Sequence, residues 1–198
     1  MKRLIHLLPL LILFIPFGVI VAGGDKIYWS EDTQLIWKDF KKEVPKNSKA
    51  KAHGQVGIDI LNDEKDDHTM ELSVYAYFLK SGSSKPDEAG QTGEALHHEQ
   101  YRFNLAEVYA RMLRKRLGDS TFKTSGKYFV VASKITKQLS KELSDEQHKY
   151  DEEVGTPIRD TAQLRWDKNI DARLLQYGQN ADPKQDITFE KKITENAK

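Results

Sequence analysis

Between Glu94 and Leu117 apolar positions recur at helical spacing. At roughly 100° per residue, His98, Arg102, Leu105, Ala106, Tyr109, Met112 and Leu113 fall on one face. Gly118 is placed to end that helix. A second stripe, Ile135, Leu139, Leu143 and Tyr150, predicts a helix from about Phe129 to Glu153. Ala162, Trp166, Ile170 and Leu174 predict a third, with Pro157 in its first turn, where a missing N–H costs nothing. Upstream the pattern changes. Val56–Leu61 and Met70–Leu79 are rich in β-branched and aromatic residues and flank the charged stretch Asn62–Asp67. This predicts two neighbouring antiparallel strands joined by an acidic turn. Trp29, Trp37 and Phe40 make Ile27–Phe40 an aromatic-rich opening segment, and Val44-Pro45-Lys46-Asn47-Ser48 and Ser81–Gly93 read as connections. From Gly178 onward the chain is polar and expected to be loosely ordered, with Ile187-Thr188-Phe189 able to dock. The sum is an α+β domain: a small antiparallel β-sheet packed against about three α-helices.

The N-terminus adds a targeting signal. Met1-Lys2-Arg3 precedes an apolar run from Leu4 to Ala22, and Val21-Ala22-Gly23 offers a small-residue exit. These are the parts of a secretory leader, and Pro9, Pro16 and Gly18 weaken a permanent membrane helix. An uncleaved anchor is the alternative, because the run is long for a leader core. Either way the rest of the chain is expected outside the cytoplasm, periplasmic or secreted. Residues 1–23 are then the signal peptide, 24–178 one domain and 179–198 a polar C-terminal tail. No stable membrane span is expected after removal of the leader.

Composition narrows the chemistry. There is no cysteine, which removes disulfides, thiolate metal sites and cysteine nucleophiles. The formal net charge is +1, and loss of Lys2 and Arg3 with the leader takes it to −1. A near-neutral surface gives no general field for nucleic acid, so no nucleic-acid partner is expected.

Candidate chemistry lies on the first helix. His98-Glu99-Gln100-Tyr101-Arg102 begins like H-E-x-x-H, in which two histidines four apart hold zinc and the glutamate acts as general base on zinc-bound water. Arg102 stands at the second histidine. A guanidinium stays protonated and has no lone pair to offer a metal.

More of the chain follows a known pattern. Leu35-Ile36-Trp37-Lys38-Asp39-Phe40 with Val44-Pro45, Val74-Tyr75-Ala76-Tyr77-Phe78-Leu79, and the run from His98 to Arg111 resemble a bacterial family of predicted secreted zinc-dependent proteases. That family's core reads H-E-Q-x-H-F-D-x-A-E-x-x-A-R. Tyr150-Asp151, Gln163 and Trp166 are similar to its downstream Y-D…Q…W signature. The resemblance runs from about residue 27 to 175 and implies a zincin-like motif helix. It also implies a third ligand histidine after the Tyr-Asp pair. Here Glu153-Val154-Gly155-Thr156-Pro157 holds none, and Asn104 replaces an aspartate that could orient a ligand.

Catalytic inactivity is therefore the leading expectation, with Glu99 a vestigial general base, His98 a vestigial ligand, and Arg102 and Thr156 replaced ligand positions. No cofactor is expected, and the retained role would be binding an unknown protein or peptide. Arg102 should find a carboxylate, Glu99 or Asp151, since a buried unpaired guanidinium costs several kcal/mol. The alternative is that it snorkels to solvent. The enzyme rival is an active zinc metallopeptidase with rearranged ligands, recruiting Asp151, Glu152 or Glu153 beside His98. A structural envelope protein using its aromatic opening segment is a third reading. His97 points about 100° away from His98, and His148, His53 and His68 read as surface residues. Tyr75 and Tyr77 read as packing, and Arg111, Arg114, Lys115 and Arg116 as a solvated cationic helix end.

Overall fold

The computed structural model describes residues 24–44, 52–191 and 193. The expected leader over residues 1–23, and Pro45–Ser48 of the expected Val44–Ser48 loop, lie outside the described residues. Among the described residues no helix is long and apolar enough to cross a membrane.

The sheet is organised around one long strand. In chain order the strands are β1 (Lys26–Tyr28), β2 (Lys42–Glu43), β3 (His53–Asp66), β4 (Thr69–Lys85) and β5 (Lys184–Thr188). β4 is hydrogen-bonded to all four others. β3 runs antiparallel along it from Asp66↔Thr69 to His53↔Ser84. On the opposite edge β5 pairs with Thr69–Ser73 and β1 with Tyr77–Leu79, both antiparallel, and the short β2 lies parallel to Ser84 and Lys85. The acidic stretch is thus not a turn. Asn62–Asp66 continues β3, and the reversal is confined to Asp67-His68. The stretch fits an exposed strand end because side chains alternate across a sheet and this part of β3 is solvent-facing on both sides.

Leu72, Val74, Ala76 and Phe78 point to the helical layer and are fully or almost fully buried. The other face is open to solvent. There Tyr28 and Tyr75 pack with ring centroids 5.3 Å apart, and the Lys26 ammonium sits 4.0 Å above the Tyr77 ring. These tyrosines decorate the outer face of the sheet.

Three helices cover the buried face: α1 (Gly93–Gly118), α2 (Ser125–Val154) and α3 (Asp160–Gln176). Thr92 and Thr124 cap the first two by accepting hydrogen bonds from the Ala95 and Lys127 N–H groups, both at 3.2 Å. That cap starts α2 four residues before Phe129. α1 touches the sheet, α2 and α3 at once, so every residue from Leu105 to Arg111 is buried. Gly155, at φ +70°, ends α2. α3 does not begin at Pro157, whose peptide with Thr156 is cis. It begins at Asp160, after a turn in which Arg159 donates to the Glu152 and Glu153 carbonyls at 2.6 Å. Those carbonyls are exposed ends of α2, which explains why the connection is held.

The segment expected to be a polar tail is partly built into the domain. Ile187 and Phe189 are 3% and 5% exposed, and Phe189 packs edge-on to Tyr128. Ile187 and Phe189 dock as their apolar side chains suggested, and backbone pairing to β4 extends that order to the polar Lys184–Asp186.

Candidate functional site

The second turn of α1 carries His98, Glu99 and Arg102 toward the start of β3. Glu99 is 3% exposed, and its Oε2 accepts a hydrogen bond from the Gly54 N–H at 2.7 Å. Gly54 allows this approach. A Cβ there would lie 2.7 Å from Glu99 Oε2 and 2.9 Å from the Phe78 ring, closer than real Cβ contacts. A carboxylate bound to a backbone amide in this way is a fixed acceptor.

Arg102 reaches both carboxylates named from the sequence. Its Nη1 donates to Asp151 Oδ2 in a short hydrogen bond, and its Nε lies 3.5 Å from Glu99 Oε2. The latter is a charge contact only, since Nε makes no hydrogen bond. The residue is 6% exposed, so it does not snorkel. Asp151, delivered by the C-terminal end of α2, bridges two partners: Oδ2 takes Arg102 and Oδ1 lies 3.1 Å from His98 Nε2.

His98 is fixed on its other sides as well. Its ring stacks on Tyr150 at 4.4 Å and 15° between planes, and Nδ1 lies 3.1 Å from Gln163 Oε1. The Gln163 orientation follows from its amide nitrogen, which donates to Asp167 Oδ1 at 2.7 Å and to the Tyr150 hydroxyl at 2.6 Å. Both imidazole nitrogens therefore face side-chain oxygens, Gln163 Oε1 and Asp151 Oδ1. Burial of Tyr150 drives its hydroxyl pKa far above the ordinary value of 10, so it remains a neutral donor to the His98 carbonyl.

His98, Glu99, Arg102, Asp151 and Thr156 all line one cavity of about 280 Å³, with His53 at its edge. The structure thus brings together the positions of the inherited metal motif and one of the three carboxylates named for a rearranged ligand set, Asp151. Glu152 and Glu153 lie apart. Glu152 faces His148 on the exposed side of α2, and Glu153 is held by Arg165 and the Trp166 indole N–H. His97 pairs with Asp167 at 2.8 Å, and His68 lies on the strand reversal with Nδ1 3.0 Å from the Phe189 carbonyl.

Asp151 makes the site acid-sensitive. Burial alone pushes its carboxyl up, but hydrogen bonds from His98 and Arg102 and the Arg102 charge outweigh it, leaving the group below its ordinary 3.8. A carboxylate depressed on folding adds stability above its unfolded pKa, and that share disappears as pH falls through the folded value. The expected outcome is that wild type loses stability more steeply than Asp151→Asn below about pH 4. Parallel slopes in urea titrations between about pH 5 and pH 2.5 would remove Asp151 from the acid response.

One cluster escaped the sequence reading. Arg111 and Arg114 were expected in solvent; they are 3% and 2% exposed. Glu107, itself 2% exposed, receives Arg111 Nε at 3.0 Å and Arg114 Nη1 at 2.9 Å. Arg114 also donates to the Val74 carbonyl on β4 at 2.7 Å and to Asn180 O at 2.8 Å, tying α1 to the sheet and to the segment after α3. The i, i+4, i+7 spacing of Glu107, Arg111 and Arg114 was the available signal, because it places all three on one stripe.

The residues present do not fit the zinc that the family resemblance implies. A catalytic zinc takes three protein ligands at about 2.0–2.2 Å and leaves one position open. Here the His98 nitrogens are both engaged, the guanidinium occupies the second ligand position, Glu99 is spent on Gly54, and Thr156 offers only a hydroxyl. A dication would also face the permanent charge of Arg102 within contact distance. No protein-family model, no curated protein and no solved structure matches the chain.

Proposed function

We propose that this protein is an exported relative of secreted zinc-dependent proteases in which an ion-pair site has replaced the metal site, leaving a catalytically silent domain that binds a protein or peptide. The observation that carries this reading is the Asp151 bridge between His98 and Arg102. The arginine supplies, at the second ligand position, the positive charge a metal would have supplied. The carboxylate left beside it is thereby neutralised without Lewis-acid chemistry. Export rests on the basic start, the apolar run and the Val21-Ala22-Gly23 exit. The inherited pocket geometry rests on Thr156 and Arg102 lining the same cavity as His98.

Zinc titration of the purified mature protein, read by elemental analysis and calorimetry, tests this. Wild type should take up well under one equivalent, whereas Arg102→His combined with Thr156→His should bind one equivalent with a Kd of about 1 µM or tighter. Stoichiometric zinc in native protein, lost on His98→Ala, would establish the metallopeptidase reading instead. Metal-free protein that is unchanged by chelator, and a double variant that gains zinc, support the replaced site.

A further inference from the structure

Asn104 and Arg111 lie two helical turns apart on a stripe of α1 roughly opposite Arg102. They form the floor of a second cavity, of about 320 Å³, walled by Trp29 and Leu174 and rimmed by Leu175. The Arg111 side chain is 4% exposed. Its Nε donates to Glu107, its Nη1 to the Leu174 carbonyl at 2.8 Å, and its guanidinium lies 5.2 Å from the Trp29 ring centroid. Nη2 donates no hydrogen bond among the described residues, yet it is not among the sealed, unpaired atoms of the interior. Arg111 lines the cavity, and Nη2 is its one guanidinium nitrogen without an acceptor among the described residues.

The charge around it is unbalanced. Glu107 serves two buried guanidiniums, so the cluster retains a positive charge. Glu31 is the cavity's one carboxylate among the described lining residues; it is exposed at the mouth and makes no ion pair with Arg111. Asn104 adds neutral donors. Its Oδ1 accepts from the Trp29 indole N–H at 3.0 Å and from Gln100 Nε2 at 3.1 Å, which fixes the amide and leaves both Nδ2 hydrogens without a partner among the described residues. The floor therefore presents N–H donors on a cationic centre, beside an indole face and an aliphatic wall. Leu175, 82% exposed, extends the apolar surface outward.

The geometry points to a binding site for a ligand that carries a carboxylate on an apolar body, either a small organic acid or the C-terminal carboxylate of a peptide. The carboxylate would take Arg111 Nη2 and the Asn104 amide as charge-assisted and neutral hydrogen bonds. The apolar part would cover Trp29, Leu174 and Leu175. A carboxylate is favoured over a neutral ligand because it removes a buried charge imbalance that a neutral group leaves in place. This cavity is separate from the Arg102 site, and the metal state of that site does not enter.

The test follows the Trp29 indole and Asn104 side-chain amide signals in ¹⁵N NMR spectra of the mature protein. Acetate, hexanoate, and the tripeptide Ala-Ala-Leu as free acid and as C-terminal amide are titrated separately. At least one acid should give saturable shifts with a Kd below about 10 mM, and the peptide amide should bind at least about tenfold more weakly than the peptide acid where that acid binds. Asn104→Asp keeps the acceptor for Trp29 and Gln100 but sets a second carboxylate in the cavity. It should weaken acid binding at least about tenfold. If that variant does not fold, the exposed Leu175→Glu serves in its place with the same expected loss. Hexanoate binding with no peptide response assigns a small organic acid; tighter binding of the peptide acid assigns a chain terminus. No saturable shift from any acid, equal binding of peptide acid and amide, or affinity unchanged in the folded variant would overturn the site.

Discussion

Glu107→Gln is expected to lower the unfolding free energy by about 3–5 kcal/mol, the cost of removing one partner from a buried ion cluster. The residue is 2% exposed and is the carboxylate shared by Arg111 and Arg114, which are nearly as buried. Glutamine keeps the shape and one acceptor oxygen but leaves two guanidiniums facing each other without a counter-charge. Because Arg114 also reaches Val74 on β4 and Asn180 after α3, the loss should loosen three elements together. Against a total of about 5–15 kcal/mol this is a large fraction. At about 2–4 °C per kcal/mol for a chain of this size, the melting temperature should fall on the order of 10 °C. Urea denaturation reads it directly. A change under about 1 kcal/mol would mean that the two arginines find other acceptors when the carboxylate is gone.

Arg102→Leu is expected to cost about 3 kcal/mol, and Glu99→Gln in that background should recover at least about 1 kcal/mol. The asymmetry between the two carboxylates around Arg102 explains the rescue. The Asp151 side chain is 41% exposed and keeps water when the guanidinium leaves, whereas that of Glu99 is 4% exposed and does not. Glutamine at position 99 can still accept from the Gly54 N–H. A double variant no more stable than Arg102→Leu would show that lost packing, not the stranded carboxylate, sets the cost.

The helices were legible in the chain because each has a stripe at regular spacing, and Gly118 marked the end of the first. α1 ends within one residue of its expected bounds, at Gly118. The Arg102 contacts were legible too, since an arginine on an apolar stripe needs a carboxylate and Asp151 and Glu99 were the near choices. What failed has a common cause. Stripe arguments assume that a helix has one buried face, but α1 has the sheet on one side and α2 and α3 on others. Arg111 and Arg114, read as solvated cations, are instead enclosed by that second layer of contacts. Gln163 as the partner of His98 Nδ1 depends on α3 docking 65 positions later, which no local pattern encodes. The hairpin was found but cut short, because charged residues in Asn62–Asp66 are compatible with a strand that protrudes into solvent.

The position of β4 has a consequence for how the domain is completed. One edge of Thr69–Ser73 is matched at once by β3, its neighbour in the chain, but the other waits for β5. Thr69 meets Thr188 only after α1, α2 and α3 have been threaded between them. Until then a row of amide and carbonyl groups beside Met70, Leu72 and Val74 stays open, the kind of surface on which extended chains stack together. A chain that emerges progressively from its N-terminal end would carry that sticky margin until β5 follows. Its last strand is therefore the latch that makes the sheet safe from its neighbours.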